Sequence, residues 1–271
     1  MIVKQKLLLV GCGKMGSALL TGWLSRDIDE LDVIVVEPAG GNVLEKNFNV
    51  PVVNSLDKLN VEFRPNIVVF AVKPQAMDQI VPNYGHFVGP ETMFLSIAAG
   101  KPTDYFQNRL GNSASVVRSM PNTPAAVGRG ITVAYRNHAV SDDQKLIATK
   151  LLGAVGEVNW VEDEGLIDGV TALSGSGPAY VFLMIECLAQ AGIRVGLDPI
   201  LAEQLARVTV AGSGELARQS TDSASVLRQN VTSPGGTTAA ALDVLMAKNG
   251  LQELISEAVL AAEKRSRELS G

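Results

Sequence analysis

A glycine-rich turn near the start of the sequence constrains the fold more than any other feature. The apolar run 6–10 predicts a strand, and the segment 17–20 predicts the first residues of a helix. Between them stands the motif Gly11-Cys12-Gly13-Lys14-Met15-Gly16. In this context the first glycine makes the tight turn, the second lets the backbone approach a pyrophosphate, and the third lets the helix pack close to the strand. The turn therefore predicts a Rossmann-type sheet that binds a dinucleotide.

An acidic residue follows the second predicted strand. The apolar run 33–36 ends at Glu37, which lies 21 residues after Gly16. A carboxylate at about this distance hydrogen-bonds the ribose hydroxyls in dinucleotide-binding folds. If Glu37 faces the ribose, it should favour NADH, because its charge would repel the 2′-phosphate of NADPH. The alternative is an exposed acid at a strand end, before the loop 38–41.

Composition and charge exclude several classes of function. The chain has 271 residues, 46% of them hydrophobic, which is enough for two moderate cores. A net charge of −5 without a basic run makes nucleic acids and anionic membranes unsuitable partners. Cys12 and Cys187 have no metal-ligand spacing, so we predict no metal site and a reducing compartment. The sequence starts on a predicted strand without signal-peptide regions, which predicts a cytoplasmic protein.

The first part of the chain alternates apolar, β-branched runs with helical segments. Such runs are typical of a sheet covered on both faces, and the alternation predicts mostly parallel order. We therefore predict an α/β fold with a Rossmann-type domain over residues 1–162. The further strands are predicted over 67–72, 93–98, 115–117, 131–134 and 156–161.

After residue 162 only helices are predicted, so residues 163–271 should form an all-helical domain. The helix over 178–193 is apolar nearly all round and too short for a membrane span, so we predict that it is buried. Six short helices do not enclose it easily, which favours a homodimer, although small residues on the next helix also suit an intrachain crossing. The predicted helices cover 164–173, 178–193, 199–217, 223–231, 237–248 and 251–269.

A second glycine-rich segment precedes the predicted helix that begins at Thr237. Its sequence is Ser233-Pro234-Gly235-Gly236-Thr237-Thr238. The first amides of a helix have no intrahelical partners, and the helix dipole favours negative charge there. A glycine-rich approach would leave those amides open to a carboxylate or phosphate. The alternative is a surface helix capped by Ser233 or Thr237.

Six segments taken together resemble the pyrroline-5-carboxylate reductases, the last enzymes of proline synthesis. The resemblance spans nearly the whole chain, and the stretch 227–245 is similar to that family's signature. The segments are Gly11 to Gly16, Ala71-Val72-Lys73-Pro74, Ser96-Ile97-Ala98-Ala99-Gly100, Met120-Pro121-Asn122-Thr123-Pro124, Ser174-Gly175-Ser176-Gly177-Pro178-Ala179-Tyr180 and Ser233 to Thr238.

The resemblance implies an oxidoreductase that uses NADPH or NADH. Its reaction would be hydride transfer to the C=N bond of 1-pyrroline-5-carboxylate, giving L-proline. The resemblance also implies a helical domain that interlocks with that of a second copy, with further assembly into decamers in many members.

The resemblance assigns site residues position by position. Thr238 is the candidate donor at the ring nitrogen, and the amides around Gly236 and Thr237 would hold the substrate carboxylate. The implied substrate residues are Met120, Val231, Gly235, Gly236, Thr237 and Thr238. The implied cofactor residues are Gly11, Cys12, Gly13, Lys14, Met15, Gly16, Glu37, Asn54, Ala71, Val72, Lys73, Pro74, Ile97, Ala98, Ala99 and Asn230.

Plainer interpretations of these residues stay open. Lys73 would serve equally as a solvated lysine at a strand end, and 97–99 as ordinary core. Asn54 and Asn230 would serve as turn or cap residues. The segment Met120 to Asn122 would serve as a rigid surface turn between prolines.

One departure from the family and two rival functions remain. The family often has glutamate, proline and glycine ahead of its signature, whereas this chain has Ser220-Thr221-Asp222-Ser223-Ala224, which puts details of substrate binding in doubt. A β-hydroxyacid dehydrogenase would share the architecture but needs a catalytic lysine on a glycine-rich helix, and none is apparent. A dinucleotide sensor that has lost turnover is the non-enzymatic rival.

Overall fold

The computed structural model describes residues 5–26 and 31–270. Strands of the described residues form one eight-stranded sheet, ordered β3-β2-β1-β4-β5-β6-β7-β8. These strands are β1 (Gln5–Val10), β2 (Leu31–Val36), β3 (Val52–Val53), β4 (Ile67–Phe70), β5 (Met93–Ser96), β6 (Ser115–Met120), β7 (Gly130–Arg136) and β8 (Gly156–Trp160).

Neighbouring strands in this sheet are parallel, except for the antiparallel pair β6 and β7. This confirms the predicted mostly parallel α/β fold. Leu9 pairs with Val35 of β2 and with Val69 of β4, so these strands end at one edge. Strands β5 and β6 continue the parallel order to that edge. In open α/β sheets, ligands bind outside this carboxyl edge.

Apolar side chains cover both faces of the sheet. Because successive side chains of a strand point to opposite faces, Leu7 and Leu9 belong to one buried cluster and Leu8 and Val10 to the other. A β-strand with both faces buried is apolar at nearly every position, as β1 is.

The described helices follow the predicted order. They are α1 (Lys14–Ser25), α2 (Gly41–Phe48), α3 (Met77–Ile80), α4 (Thr103–Leu110), α5 (Asp142–Gly153), α6 (Leu166–Val170), α7 (Gly177–Arg194), α8 (Pro199–Gln219), α9 (Ala224–Asn230), α10 (Thr237–Leu245) and α11 (Leu251–Ser270). The single helix predicted over 164–173 is instead α6 followed by a π-helix, Thr171–Gly175.

The chain divides into two compact units. The helical unit comprises Ser176–Ala262, and the sheet unit comprises the residues up to Gly175 together with those from Glu263 onward. The last turns of α11 belong to the sheet unit, where Ser266 donates a 2.7 Å hydrogen bond to Asp168. The predicted domain limits 1–162 and 163–271 stay predictions, and they differ from these units because α6 and the end of α11 pack with the sheet.

Helix α7 is not buried within a single chain, so that expectation is wrong for the isolated chain. Only Ala189 is buried, while Val181, Phe182, Leu183 and Leu188 are exposed. The reason is that its own unit covers one side only. By length and apolar composition alone, the stretch Leu166–Arg194 would suffice to cross a membrane, which is weak evidence because the core helix of a soluble protein passes the same test.

Candidate active site

The glycine-rich turn at the end of β1 requires its first and third glycines. Gly11 has φ of +87°, and its N–H donates a 2.9 Å hydrogen bond to the Val36 carbonyl. A Cβ at Gly11 would lie 2.5 Å from Cγ1 of Val72. A Cβ at Gly16 would lie 2.6 Å from the Gly11 carbonyl oxygen. These two glycines therefore make the turn and the close approach of α1 that the motif predicts.

The second glycine of the turn is open on its outer side. A Cβ at Gly13 would meet no heavy atom of the described residues within 4 Å. Gly13 is the N-cap of α1, and no side chain caps this helix. The backbone N–H groups of the first turn therefore have no capping side chain among the described residues, and they lie at the positive end of the helix dipole. Lys14 is exposed and Met15 half-buried beside it, and the cradle fits the pyrophosphate of a dinucleotide.

Glu37, at the end of β2, is bonded to the same turn. Its Oε2 accepts a 2.8 Å hydrogen bond from the Cys12 N–H, and its Oε1 accepts one of 3.2 Å from the Ala39 N–H. The carboxylate is therefore held between the glycine-rich turn and the loop after β2. This is the place from which a carboxylate reaches the adenosine ribose.

A cleft of about 620 Å³ lies outside the ends of β2 and β3. Glu37 and Asn54 both line it, so the structure brings together these two predicted cofactor residues. Glu45 and Lys58 also line it, and Lys58 lies 3.6 Å from its neighbour Asp57. The described lining of the cleft thus has two carboxylates, Glu37 and Glu45, and one lysine, so its net charge is negative.

The Cys12 thiol lies inside the turn and stays protonated. Burial raises its pKa, a hydrogen bond with Ser17 opposes the rise, and the nearby charge of Glu37 adds to it. A thiol with a raised pKa is a poor nucleophile, which makes Cys12 a packing residue of the turn.

The segment after β4 borders the glycine-rich turn. The Ala71 N–H donates a 2.8 Å hydrogen bond to the Val10 carbonyl of β1. The exposed Lys73 precedes a 3₁₀ turn, Pro74–Ala76. Pro74 lacks an N–H and fixes its own φ, which suits the first position of this turn.

The segment after β5 is fixed by a buried serine. The Ile97 N–H donates a 3.2 Å hydrogen bond to the Phe70 carbonyl, and the Ala98 N–H donates one of 3.2 Å to Oγ of Ser96. Ala98 is buried and Ala99 half-buried. These small residues leave the backbone close to the carboxyl edge of the sheet.

Strand β6 ends at Met120, which is buried. A Cβ at Gly175 would lie 3.3 Å from its Sδ, so the π-helix packs directly on Met120. Oδ1 of Asn122 accepts a 2.9 Å hydrogen bond from the Ile131 N–H of β7. The Asn122 amide oxygen is thus used to fix its own loop.

In the helical unit, the segment before α10 has the geometry of an anion cradle. Gly236 is the N-cap, and the first helical hydrogen bond runs from the Ala240 N–H to the Gly236 carbonyl. No side chain caps α10, so the alternative in which Ser233 or Thr237 caps the helix is wrong. The amides of its first turn have no cap in competition with a carboxylate.

The other predicted substrate and cofactor residues of the helical unit differ in how exposed their side chains are. Gly235 has φ of +68°, which favours glycine, and Thr238 is half-buried in the first turn of α10. Asn230 ends α9, and Val231 follows it as the C-cap, with both exposed in the single chain. They lie in the helical unit, whereas the other predicted cofactor residues lie in the sheet unit.

Sequence reasoning missed two buried polar side chains near the sheet edge. Ser96 supports Ala98, as described above, and Arg118 of β6 is almost wholly buried. The available signal for Ser96 was a polar residue at the end of the apolar strand β5, whereas Arg118 lay just outside the strand predicted over 115–117. No group of three His, Cys, Asp or Glu residues suited to a metal is found among residues 5–26 and 31–270.

Comparison with known protein families gives two matches. A model of pyrroline-5-carboxylate reductase dimerisation matches residues 164–269. A model of coenzyme F420-dependent NADP oxidoreductases matches residues 6–100. The first match covers most of the predicted helical domain, and the second covers the part that contains the glycine-rich turn.

Individual relatives match over nearly their full length. A pyrroline-5-carboxylate reductase of Pseudomonas aeruginosa is 37% identical over 98% of this chain and 97% of its own. A structure of this reductase from Coxiella burnetii matches with a TM-score of 0.91 at 34% identity, covering 99% of each chain. A Plasmodium falciparum pyrroline carboxylate reductase structure with NADP bound matches with a TM-score of 0.84 at 30% identity, covering 100% of each chain.

Proposed function

This chain belongs to the pyrroline-5-carboxylate reductase family, and from that premise we propose that it reduces the C=N bond of 1-pyrroline-5-carboxylate to give L-proline. The observation that carries this activity is the near full-length similarity to reductases of that name, on a Rossmann-type sheet with an intact glycine-rich turn. The reaction makes the chain an NAD(P)H-dependent oxidoreductase of proline biosynthesis.

We propose that the cofactor is held along the carboxyl edge of the sheet. The open N-terminus of α1 at Gly13 would bind the pyrophosphate, and Glu37 with Asn54 would bind the adenosine ribose. The small residues after β5 would leave room for the nicotinamide. When bound, the reduced nicotinamide supplies the hydride.

The substrate carboxylate would bind at the start of α10. The uncapped amides after Gly236 and the dipole of α10 favour an anion there, and Gly235 allows the backbone to turn toward it. A carboxylate held at one end fixes which face of the ring meets the hydride.

Thr238 is the proposed donor to the imine. A cyclic imine accepts a hydride most readily when its nitrogen is protonated or accepts a hydrogen bond. The half-buried hydroxyl of Thr238, in the same first turn, would donate to that nitrogen. His86 lies in a 3₁₀ segment and His138 in the loop after β7, and this chemistry requires neither of them as a base.

We propose NADH as the preferred cofactor. Two observations support this choice: Glu37 is hydrogen-bonded to the glycine-rich turn, and Glu45 adds a second carboxylate to the same cleft. The extra phosphate of NADPH would be repelled by both carboxylates. Among the described residues that line this cleft, Lys58 is the one cation that would attract it.

The chain is a homo-oligomer by virtue of its dimerisation domain. We propose that the exposed apolar face of α7 is covered by a second copy and that dimers assemble further into decamers, in a cytoplasmic protein with no nucleic-acid or membrane partner. Burial of large apolar side chains is the dominant favourable term in such association.

The activity is tested by incubating the purified protein with racemic 1-pyrroline-5-carboxylate and NADH or NADPH. We expect cofactor oxidation in a one-to-one ratio with L-proline, and a higher kcat/KM with NADH. Folded protein that binds the dinucleotide but forms no proline would contradict the proposal and favour a dinucleotide sensor.

A further inference from the structure

Arg118 is a buried cation in the middle of the sheet unit. It lies in β6 between Val116 and Met120, and its side chain is 3% exposed. Burial of a charge is costly unless partners compensate it. Such a residue therefore needs an account beyond packing.

Two carboxylates surround the guanidinium without forming an optimised ion pair. Nη1 lies 3.3 Å from Oε1 of Glu164, and Nη2 lies 3.6 Å from Oδ1 of Asp168. Nε and Nη2 of Arg118 make no hydrogen bond within the described residues. Buried ion pairs are weak sources of stability even with good geometry, so stability alone is a poor reason for this cluster.

Glu164 also binds the segment that follows β5. It accepts hydrogen bonds from the Thr103 N–H at 2.7 Å and from the Thr103 hydroxyl at 2.8 Å. Thr103 begins α4, directly after the loop that contains residues 97–100. One carboxylate thus joins Arg118 to the end of that loop.

Asp168 reaches the same loop by a second route. It accepts a 2.7 Å hydrogen bond from the buried Ser266 of α11. One turn later, the backbone of Leu269 packs on Gly100, where a Cβ would lie 2.9 Å from the Leu269 carbonyl oxygen. Gly100 has φ of +69°, so its position depends on glycine and on this contact.

The two carboxylates are also close in sequence to a π-helix that packs on Met120, the last residue of β6. Glu164 and Asp168 stand just before the π-helix Thr171–Gly175, whose last residue packs on the Met120 sulfur. π-helical turns are frequent at functional sites. Arg118 therefore joins, through two carboxylates, the segment that follows β5 and the π-helix that packs on the last residue of β6.

We propose that Arg118 is a positioning residue for hydride transfer. Through Glu164 and Asp168 it fixes the backbone of 97–100 relative to Met120, and so aligns the nicotinamide end of the site, leaving the adenosine end unaffected. This inference rests on the proposed function, which leaves room for the nicotinamide beside 97–99, and on the family resemblance, which assigns Met120 to the substrate.

The test compares Arg118→Lys with Arg136→Lys as the matched control. Lysine keeps the charge but loses the planar fork that reaches two carboxylates. Arg136 belongs to the neighbouring strand β7 and pairs with Asp142 at 2.7 Å. The readouts are kcat, the kinetic isotope effect with 4-deuterated NADH, and the dissociation constant of ADP-ribose, a probe of the adenosine end.

We expect kcat of Arg118→Lys to fall about tenfold or more, because small misplacements of reacting groups are costly. The isotope effect should rise as hydride transfer becomes rate-limiting, while ADP-ribose affinity stays within about twofold of that of the natural sequence. Arg136→Lys should change none of the three.

An unchanged kcat in Arg118→Lys, or an equal loss of kcat and ADP-ribose affinity, would overturn the inference. If Arg118→Lys does not fold, Ser266→Ala is tested in its place, since it removes only the hydroxyl bonded to Asp168. A lower kcat of Ser266→Ala with unchanged ADP-ribose affinity supports the inference. An unchanged kcat of Ser266→Ala overturns it. The natural sequence is assayed first, because absence of proline formation there contradicts the proposed function and the inference together.

Discussion

The backbone N–H of Cys12 lies 2.8 Å from Oε2 of Glu37, so the acid that ends β2 is bonded to the turn that ends β1. This bond holds the carboxylate at the point where the sheet would receive the adenosine ribose. The side chain to which we assign the preference for NADH is therefore also bonded to the backbone of the glycine-rich turn.

Replacement of Glu37 by serine should move the cofactor preference toward NADPH. Removal of the charge ends its repulsion of the 2′-phosphate, and the ratio of kcat/KM for NADPH over NADH should rise about tenfold or more, equivalent to ~1.4 kcal/mol. The comparison variant is Glu45→Ser, which removes a carboxylate of the same cleft that is not bonded to the turn, and it should raise this ratio by less than Glu37→Ser does. An unchanged ratio in Glu37→Ser would show that this acid does not face the ribose.

Replacement of Gly13 by alanine should weaken cofactor binding without unfolding the protein. A Cβ there meets no described atom within 4 Å, but it would occupy the space proposed for the pyrophosphate. We expect the NADH dissociation constant, measured by calorimetry, to rise about tenfold, or ~1.4 kcal/mol. The melting temperature without cofactor should stay unchanged.

Gly16→Ala is the contrasting variant. Its Cβ would lie 2.6 Å from the Gly11 carbonyl oxygen, so both stability and binding should fall. Equal melting temperatures for Gly16→Ala and Gly13→Ala would argue against this description of the turn.

Replacement of Ser141 by alanine should lower stability but not activity. Ser141 caps α5 in a capping box with Gln144, in which each side chain bonds the other residue's backbone N–H. Loss of the cap should lower the free energy of unfolding in urea by about 1 kcal/mol at fixed protein concentration. Ser113→Ala, in an exposed turn, is the control, and an equal change in both variants would rule out the cap as the cause.

The Tyr105 phenol should lose its proton at a higher pH than an ordinary tyrosine does. Burial, together with its hydrogen bond to Asp78, raises its pKa from 10.0 to about 12, although the nearby charge of Arg109 opposes the rise. The folded state therefore holds this proton more tightly than the unfolded chain does. The stability that the phenol contributes should be complete below pH 10 and lost as the pH rises toward about 12.

Ultraviolet difference titration of the natural sequence and of Tyr105→Phe identifies this group. In Asp78→Ala the phenol should titrate at lower pH, because a hydrogen bond and a negative charge that oppose ionisation are gone. A phenol at position 105 that titrates near 10 in the natural sequence would contradict the expectation.

Local patterns were sufficient to predict most elements. The strand predicted over 67–72 is found over Ile67–Phe70, and the helix predicted from Pro199 begins there with Asp198 as its cap. Apolar runs, glycine turns and caps act over a few residues, so the sequence displays them directly.

The remainder depends on contacts between distant residues. Arg118 pairs with Glu164, 46 positions away, and an arginine beside a short apolar run does not reveal its partner. The π-helix after α6 packs on Met120, a contact that a local pattern does not show, and several apolar side chains of α7 are exposed in the single chain. Tertiary context overrides local preference in each case.

The measurement that tests the account most directly is the kcat of Thr238→Val with NADH and 1-pyrroline-5-carboxylate. The control is Thr232→Val, which makes the same substitution at a threonine outside the segment Ser233 to Thr238. Valine keeps the shape of threonine and removes the donor. We predict a fall of about 100-fold in the kcat of Thr238→Val with an unchanged dissociation constant for NADH, and little change in Thr232→Val. A Thr238→Val enzyme with the kcat of the natural sequence would contradict the proposed role of this hydroxyl.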